Sequence, residues 1–186
     1  MNIAPVAYRY ARSLISLAKE QGSVESIQED MQLVANTTAE SHELVVLLNS
    51  PVVKADKKVL ILNKIFAGKV GEVTSRFMGI LVRKGREALL PEIAAAYNEL
   101  YKKDKNILTV EVTSAVELSA GSVEKVRAQA IEEHPGMNVE LVKRIDPSLI
   151  GGVIIRIGDE QYDGSVSRRL SDLRRDFSKN PYIPAI

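Results

Sequence analysis

From Pro5 to about Lys103 apolar residues recur at intervals of three and four, the spacing that lines one face of a helix. The pattern breaks at Gly22, at Asn49-Ser50-Pro51, between Gly68 and Gly71, and at Lys84-Gly85-Arg86, which divides the segment into about six helices. Gly85 is placed to end one helix in the left-handed conformation just before Glu87 opens the next. Short links predict antiparallel neighbours in a compact bundle. After Asp104-Lys105-Asn106 the period becomes two: Leu108, Val110 and Val112 point one way, and Thr109, Glu111 and Thr113 the other. A helix is predicted from about Ser119 to His134, stopped by Pro135-Gly136, then a strand over Asn138 to Arg144 and a last helix from Ser165. The expected fold is α+β: an N-terminal six-helix bundle over residues 1–105, then a small mixed-sheet α/β domain of order βαββ(β)α over residues 106–186.

The segment from Ile145 to Asp159, continuing to Tyr162-Asp163-Gly164-Ser165-Val166, reads as a bend, a strand, a tight reversal, a short strand and a helix start. Asp146-Pro147 begins the bend, because proline fixes its own φ and pushes its predecessor out of the helical region. Gly151-Gly152 lets backbone approach backbone. The run Val153 to Ile157, broken only by Arg156, predicts burial on both faces, with Gly158-Asp159 as the reversal. The length of the first strand-helix-strand unit favours parallel neighbours, and the Asp146 to Gly151 bend an antiparallel return, giving a mixed sheet covered by helices.

Charge is nearly balanced, 25 Lys and Arg against 24 Asp and Glu, so no global field draws the chain onto nucleic acid or anionic lipid. There is no cysteine, hence no disulfide or thiolate metal site, which fits a reducing compartment. No apolar run reaches membrane-spanning length, and the amino end shows neither a secretory signal nor a transit peptide; a bacterial, cytoplasmic setting is expected.

Groups equipped for bond chemistry are missing from the pattern. Phe66-Ala67-Gly68-Lys69-Val70 resembles a phosphate loop, but Asn63 stands where that loop needs its first glycine and Val70 where it needs a hydroxyl, so a helix-joining turn is expected. His42 and His134 lack partners at ligand spacing. The serines have no nucleophile elbow. Asp159-Glu160 and Glu132-Glu133 fall at turns or helix ends, where solvated charge is the expected role. The last helix carries Arg168, Arg169, Arg174, Arg175 and Lys179, but Val166, Leu170, Leu173 and Phe177 form one apolar stripe, while Asp172 and Asp176 interleave with the basic residues. An ion-paired face is the preferred explanation, with an RNA-binding adaptor as the alternative. Phosphate binding weakens steeply with ionic strength, whereas insertion of an apolar helix hardly changes.

The first helix is more informative. Ala7, Ala11, Leu14 and Ala18 make one apolar face, and Val6, Tyr10, Ser13 and Leu17 make a second, about one residue round the wheel. A similar doubling occurs at Phe77, Met78, Ile80, Leu81 and Val82 in the fifth helix. Either both helices are central in the bundle, or a groove between them receives an amphipathic helix from a partner.

Three marks together resemble the delta subunit of bacterial F-type ATP synthase, a relative of the oligomycin-sensitivity-conferring protein. They are Ala7-Tyr8-Arg9-Tyr10-Ala11-Arg12-Ser13-Leu14, Lys84-Gly85-Arg86 with Leu89-Leu90-Pro91-Glu92-Ile93, and the Asp146 to Arg169 segment. The resemblance covers essentially the whole chain. It implies a non-catalytic stator subunit without cofactor or metal, linking the alpha/beta catalytic hexamer to stalk subunit b so that rotor torque is resisted during proton-driven ATP synthesis. It implies that the N-terminal helix of an alpha subunit sits between the first and fifth helices, at Val6, Tyr10, Ser13, Leu17, Phe77 and Ile80. The carboxyl-terminal end of subunit b is expected at Val153, Ile155, Val166, Leu170 and Leu173. No nucleic acid is expected, and the membrane, the bacterial inner membrane at its cytoplasmic face, is met only through the complex. Arg83-Lys84 makes the central mark more basic than the family pattern, and Asn180-Pro181-Tyr182-Ile183-Pro184 extends past the usual end.

Overall fold

A computed structural model describes residues 5–178, and the chain divides into two compact units between Asp104 and Lys105. The Asn180 to Ile186 extension and Lys179 lie outside the described residues. The protein is of mixed α and β structure, with eight α-helices and a four-stranded sheet among the described residues.

The first unit holds α1 (Pro5–Glu20), α2 (Val24–Glu40), α3 (His42–Asn49), α4 (Ala55–Phe66), α5 (Glu72–Arg83) and α6 (Leu90–Asp104). On α1 the stripe Ala7, Ala11, Leu14 and Ala18 is buried, and its alanines allow close approach to α6, the helix it packs on most extensively. Sequence neighbours α1 and α2 touch far less, so the main packing is not between consecutive helices. Tyr97 of α6 is fully buried with its hydroxyl 3.4 Å from the Val24 carbonyl, and burial, with the Glu25 charge behind it, pushes the phenol up to about 12.

Two polar contacts pin this unit. Asp30 of α2, buried, accepts from the Gly71 amide at 2.9 Å and the Thr74 hydroxyl at 2.5 Å, so a carboxylate satisfies the amino end of α5. Lys58 of α4, buried, donates to the Leu48 carbonyl at 2.8 Å and to Glu87 Oε1 at 2.6 Å. Gly85, at φ 64°, closes α5 with its amide on the Val82 carbonyl and that of Arg86 on Leu81. Glu87 then opens a 3-10 turn, Glu87–Leu89, and α6 itself begins at Leu90.

The second unit runs β1 (Ile107–Ser114), α7 (Ala120–Glu133), β2 (Asn138–Ile145), β3 (Val153–Ile157), β4 (Glu160–Asp163) and α8 (Val166–Ser178). The sheet order is β2-β1-β3-β4. β1 is parallel to β2, with Val110 opposite Leu141, and antiparallel to β3, with Val112 opposite Ile155. The bend after β2, a 3-10 turn at Pro147–Leu149, therefore returns the chain to the far side of β1. Val110, Val112 and Ile157 share their face with Val153 and Ile155 and pack with Val126 and Ala130 of α7.

Two expectations are corrected here. β3 is not buried on both faces: Val153, Ile154 and Ile155 are half-buried, Arg156 is exposed and Ile157 alone is buried. The reason is that one helix, α7, covers one face, while the opposite face carries Thr109, Glu111, Thr113 and Arg144, with Arg144 beside Glu111 at 3.5 Å. Nor is the sheet covered by both helices, because the main contact of α8 is with the Pro147–Leu149 turn.

Gly152 is the point of closest approach. At φ 77°, it sits so near the start of α8 that a Cβ there would lie 2.3 Å from the Gly164 carbonyl oxygen. Bonds from the Gly164 amide to the Val153 carbonyl and from the Val166 amide to the Gly151 carbonyl, both 3.0 Å, clamp the two segments.

Candidate functional site

The two faces of α1 have different fates. While the alanine stripe is buried, Val6 and Tyr10 are half-buried and Ser13 and Leu17 are exposed. Val6, Tyr10 and Ser13 line one open cleft of about 310 Å³, together with Arg9 and with Arg86 from the turn after α5. Ser13 turns its hydroxyl back to the Arg9 carbonyl at 3.0 Å, so the middle of the cleft is small and offers no free donor.

The α5 residues lie elsewhere. Ile80, 50% exposed, lines a second cleft of about 440 Å³ with Val59 and Asn63 of α4. Phe77 packs against the helical core, as do Met78, Leu81 and Val82, so the apolar doubling of α5 is mostly core and Ile80 is its exposed member. The structure thus brings Val6, Tyr10 and Ser13 together and leaves Leu17, Phe77 and Ile80 outside that cleft. Arg9 and Arg86 were not expected there. Arg9 was legible, being three residues from Val6 and four from Ser13 on one helical face; Arg86 was not, since only tertiary packing carries it to α1.

In the second unit the five expected residues also fall into two groups. Val153 and Ile155 belong to the face under α7. Val166, Leu170 and Leu173 lie on α8, where Leu170 and Leu173 are just over half exposed and Phe177 is 86% exposed. No residue of α8 is buried. Ser165 caps the helix, accepting from the Arg168 amide at 3.1 Å, and its amide donates to Asp163 at 3.0 Å. Those hydrogen bonds from Ser165 hold the Asp163 carboxyl below its usual range.

The polar side of α8 is ion-paired in part. Arg175 meets Asp172 at 2.8 Å, and Arg168 lies 3.8 Å from Asp163 and 3.9 Å from Asp172. That pairing engages Arg168 and Arg175, while Arg169 and Arg174 of the same helix have no acidic partner among the described residues. Gly68 and Lys69 form the turn between α4 and α5, and His42 and His134 sit at the ends of α3 and α7. Among the described residues no group of His, Asp and Glu is arranged to hold a metal ion, and no helix is long and apolar enough to cross a membrane.

Comparison with known proteins gives this arrangement its context. The family model for the ATP synthase delta (OSCP) subunit matches residues 6–177. The chain is 38% identical over 170 residues to the ATP synthase subunit delta of Chlorobium luteolum, covering 91% of this chain and 93% of the relative. It is 34% identical over 174 residues to that of Cytophaga hutchinsonii, covering 94% of each. A chain in the Toxoplasma gondii mitochondrial ATP synthase hexamer has the same fold, with a TM-score of 0.73 at 22% identity over 94% of this chain and 98% of that one. The chain belongs to the ATP synthase delta (OSCP) subunit family, a non-catalytic, peripheral-stalk component of F-type ATP synthase.

Proposed function

We propose that the protein joins the alpha/beta catalytic hexamer to stalk subunit b at the cytoplasmic face of the bacterial inner membrane, so that the hexamer does not turn with the rotor. In this reading residues 1–105 act as one six-helix bundle and residues 106–186 as a second domain, each with its own partner. The N-terminal helix of an alpha subunit lies along Val6, Tyr10, Ser13 and Leu17 and reaches Phe77 and Ile80. Subunit b meets the α8 stripe of Val166, Leu170 and Leu173, near the strand that holds Val153 and Ile155.

The observation that carries this proposal is the second apolar face of α1, which its own chain leaves half-open over the cleft. Inserting an apolar helix there needs no chemistry and excludes water from surface already apolar. Tyr10→Asp would place a carboxylate where a partner side chain packs, and Ile80→Asp would do so at the α4/α5 cleft. Calorimetric titration of each variant with the alpha N-terminal peptide should show a loss of about 2 kcal/mol or more, while thermal melts confirm the fold. Unchanged affinity in both variants refutes the groove assignment. Co-purification of alpha and b chains with the protein from membranes tests the joint as a whole, and recovery of neither refutes it.

A further inference from the structure

We infer that the α1 cleft selects an acidic amphipathic helix, whose apolar stripe is flanked by carboxylates that pair with Arg9 and Arg86. This rests on the groove reading above and adds the chemistry of the occupant.

The floor of the cleft, Val6 and Tyr10, is apolar and half-buried, and Ser13 has already spent its hydroxyl on its own helix. The remaining lining groups are two guanidiniums, one from α1 and one from the turn that follows α5. Among the described residues neither takes part in an ion pair, although Arg76, Arg144, Arg168 and Arg175 each have an acidic partner. No carboxylate of the chain occurs between Pro5 and Ala18, and the nearest acidic residue after Arg86, Glu87, is engaged by buried Lys58. The charged lining of this cleft is thus of one sign, on a chain whose net charge is only +1. Charge of one sign around an apolar floor rejects basic helices as well as attracting acidic ones. The position of Arg86 is fixed by the Gly85 helix closure on one side and by the Lys58 contact to Glu87 on the other. A nucleic acid would find phosphate partners in the arginines and a single ring, Tyr10, to receive a base.

The test is titration of the full chain with a synthetic alpha N-terminal peptide at about 50 and about 500 mM NaCl, where exposed charges are weakly and strongly screened. The unmodified chain should lose about two- to fivefold in affinity across that range, far less than the hundredfold or more of a phosphate-bound ligand. Arg9→Gln/Arg86→Gln should bind about three- to tenfold more weakly at low salt and lose the salt dependence, whereas Arg9→Lys/Arg86→Lys keeps it. Equal affinity and equal salt response in the Gln variant would overturn the inference, as would displacement of the peptide by single-stranded RNA. Tight binding by the unmodified chain without salt dependence overturns the acidic-partner inference and leaves the groove intact. No binding by the unmodified chain overturns both.

Discussion

Gly152→Ala tests whether the junction between β3 and α8 is built on a backbone contact that no side chain can share. Two penalties combine. An alanine at φ 77° occupies the left-handed region, at about 1–2 kcal/mol. Its Cβ would also lie 2.3 Å from the Gly164 carbonyl oxygen and 3.1 Å from the Ser165 Cα, both on a segment with no flexible side chain to swing away. Relief requires the two segments to part, which strains the Gly164–Val153 and Val166–Gly151 bonds, each contributing about 0.5–1.5 kcal/mol. The whole effect is about 2–5 kcal/mol, against a stability of roughly 4–12 kcal/mol for a unit of this size. Gly85→Ala is the matched control, because its φ is 64° but a Cβ there meets nothing within 4 Å, leaving only the conformational term. Hydrogen exchange read by mass spectrometry under rising urea resolves the two units. Gly152→Ala should lower the midpoint for peptides of β1 and β3 and leave α1 and α6 unchanged, while Gly85→Ala produces a smaller shift confined to the helical unit. A Gly152→Ala profile that overlays the unmodified one would refute the close-approach reasoning.

Lys58→Met leaves the Glu87 carboxylate without its cation, with Oε2 already lacking a partner, and should destabilise the helical unit by about 3–5 kcal/mol, whereas Lys58→Met/Glu87→Leu restores most of the loss in urea titrations. Burial pulls the Glu87 carboxyl up, but the Lys58 hydrogen bond, the hydrogen bond from its own backbone amide and the Lys58 charge together outweigh it, so the folded group titrates below its ordinary value of 4.5. The stability this group contributes is therefore present above about pH 4.5 and drains as pH falls through the folded value; Lys58→Met should flatten that part of a urea-midpoint profile. Asp30→Ala strips an acceptor from the buried Thr74 hydroxyl and the Gly71 amide and should cost about 1–3 kcal/mol, seen as faster exchange of the first-turn amides of α5.

What could be read from the sequence was whatever depends on one element at a time. The spacing of Ala7, Ala11, Leu14 and Ala18 fixes the buried face of α1 without knowledge of α6, and Gly85 and Ser165 announce helix ends by local chemistry. Pairing across the chain was not legible. Lys58, next to Lys57, has the look of a solvated residue, and its burial is decided by the Leu48 carbonyl and Glu87, which only folding brings near. The Val153 to Ile157 run had the hydrophobicity of a strand covered twice, but periodicity does not count layers, and α8 packs on the Pro147–Leu149 turn instead of the sheet. At the candidate site the apolar residues of α1 could be named from their spacing. The separation of Ile80 from that cleft could not, because it follows from α5 lying against α4.

The helix α8 presents the sharpest contrast between local order and tertiary support. It has 13 residues, below the length at which an isolated helix is more than marginal in water, and none of them is buried. What holds it is local: the Ser165 cap, the Arg168 and Arg175 pairs with Asp172, and the anchorage of its first turn to Gly151. Exposed pairs of this kind contribute only about 0.3–0.5 kcal/mol each, and a cap about 1 kcal/mol, so beyond the first turn the helix should open at low free energy. The stripe of Leu170, Leu173 and Phe177 would each add about 1.5–3 kcal/mol if fully covered, enough to convert a fraying helix into a fixed one. Amides from Leu170 to Ser178 should therefore exchange orders of magnitude faster than those of α6 in the free chain, and slow sharply when the b subunit's C-terminal segment is added. Leu173→Asp should leave the free-chain exchange unchanged and abolish the slowing. If the free chain already protects α8 as strongly as α6, local terms suffice to hold it, and the case for a partner covering that stripe loses its energetic basis.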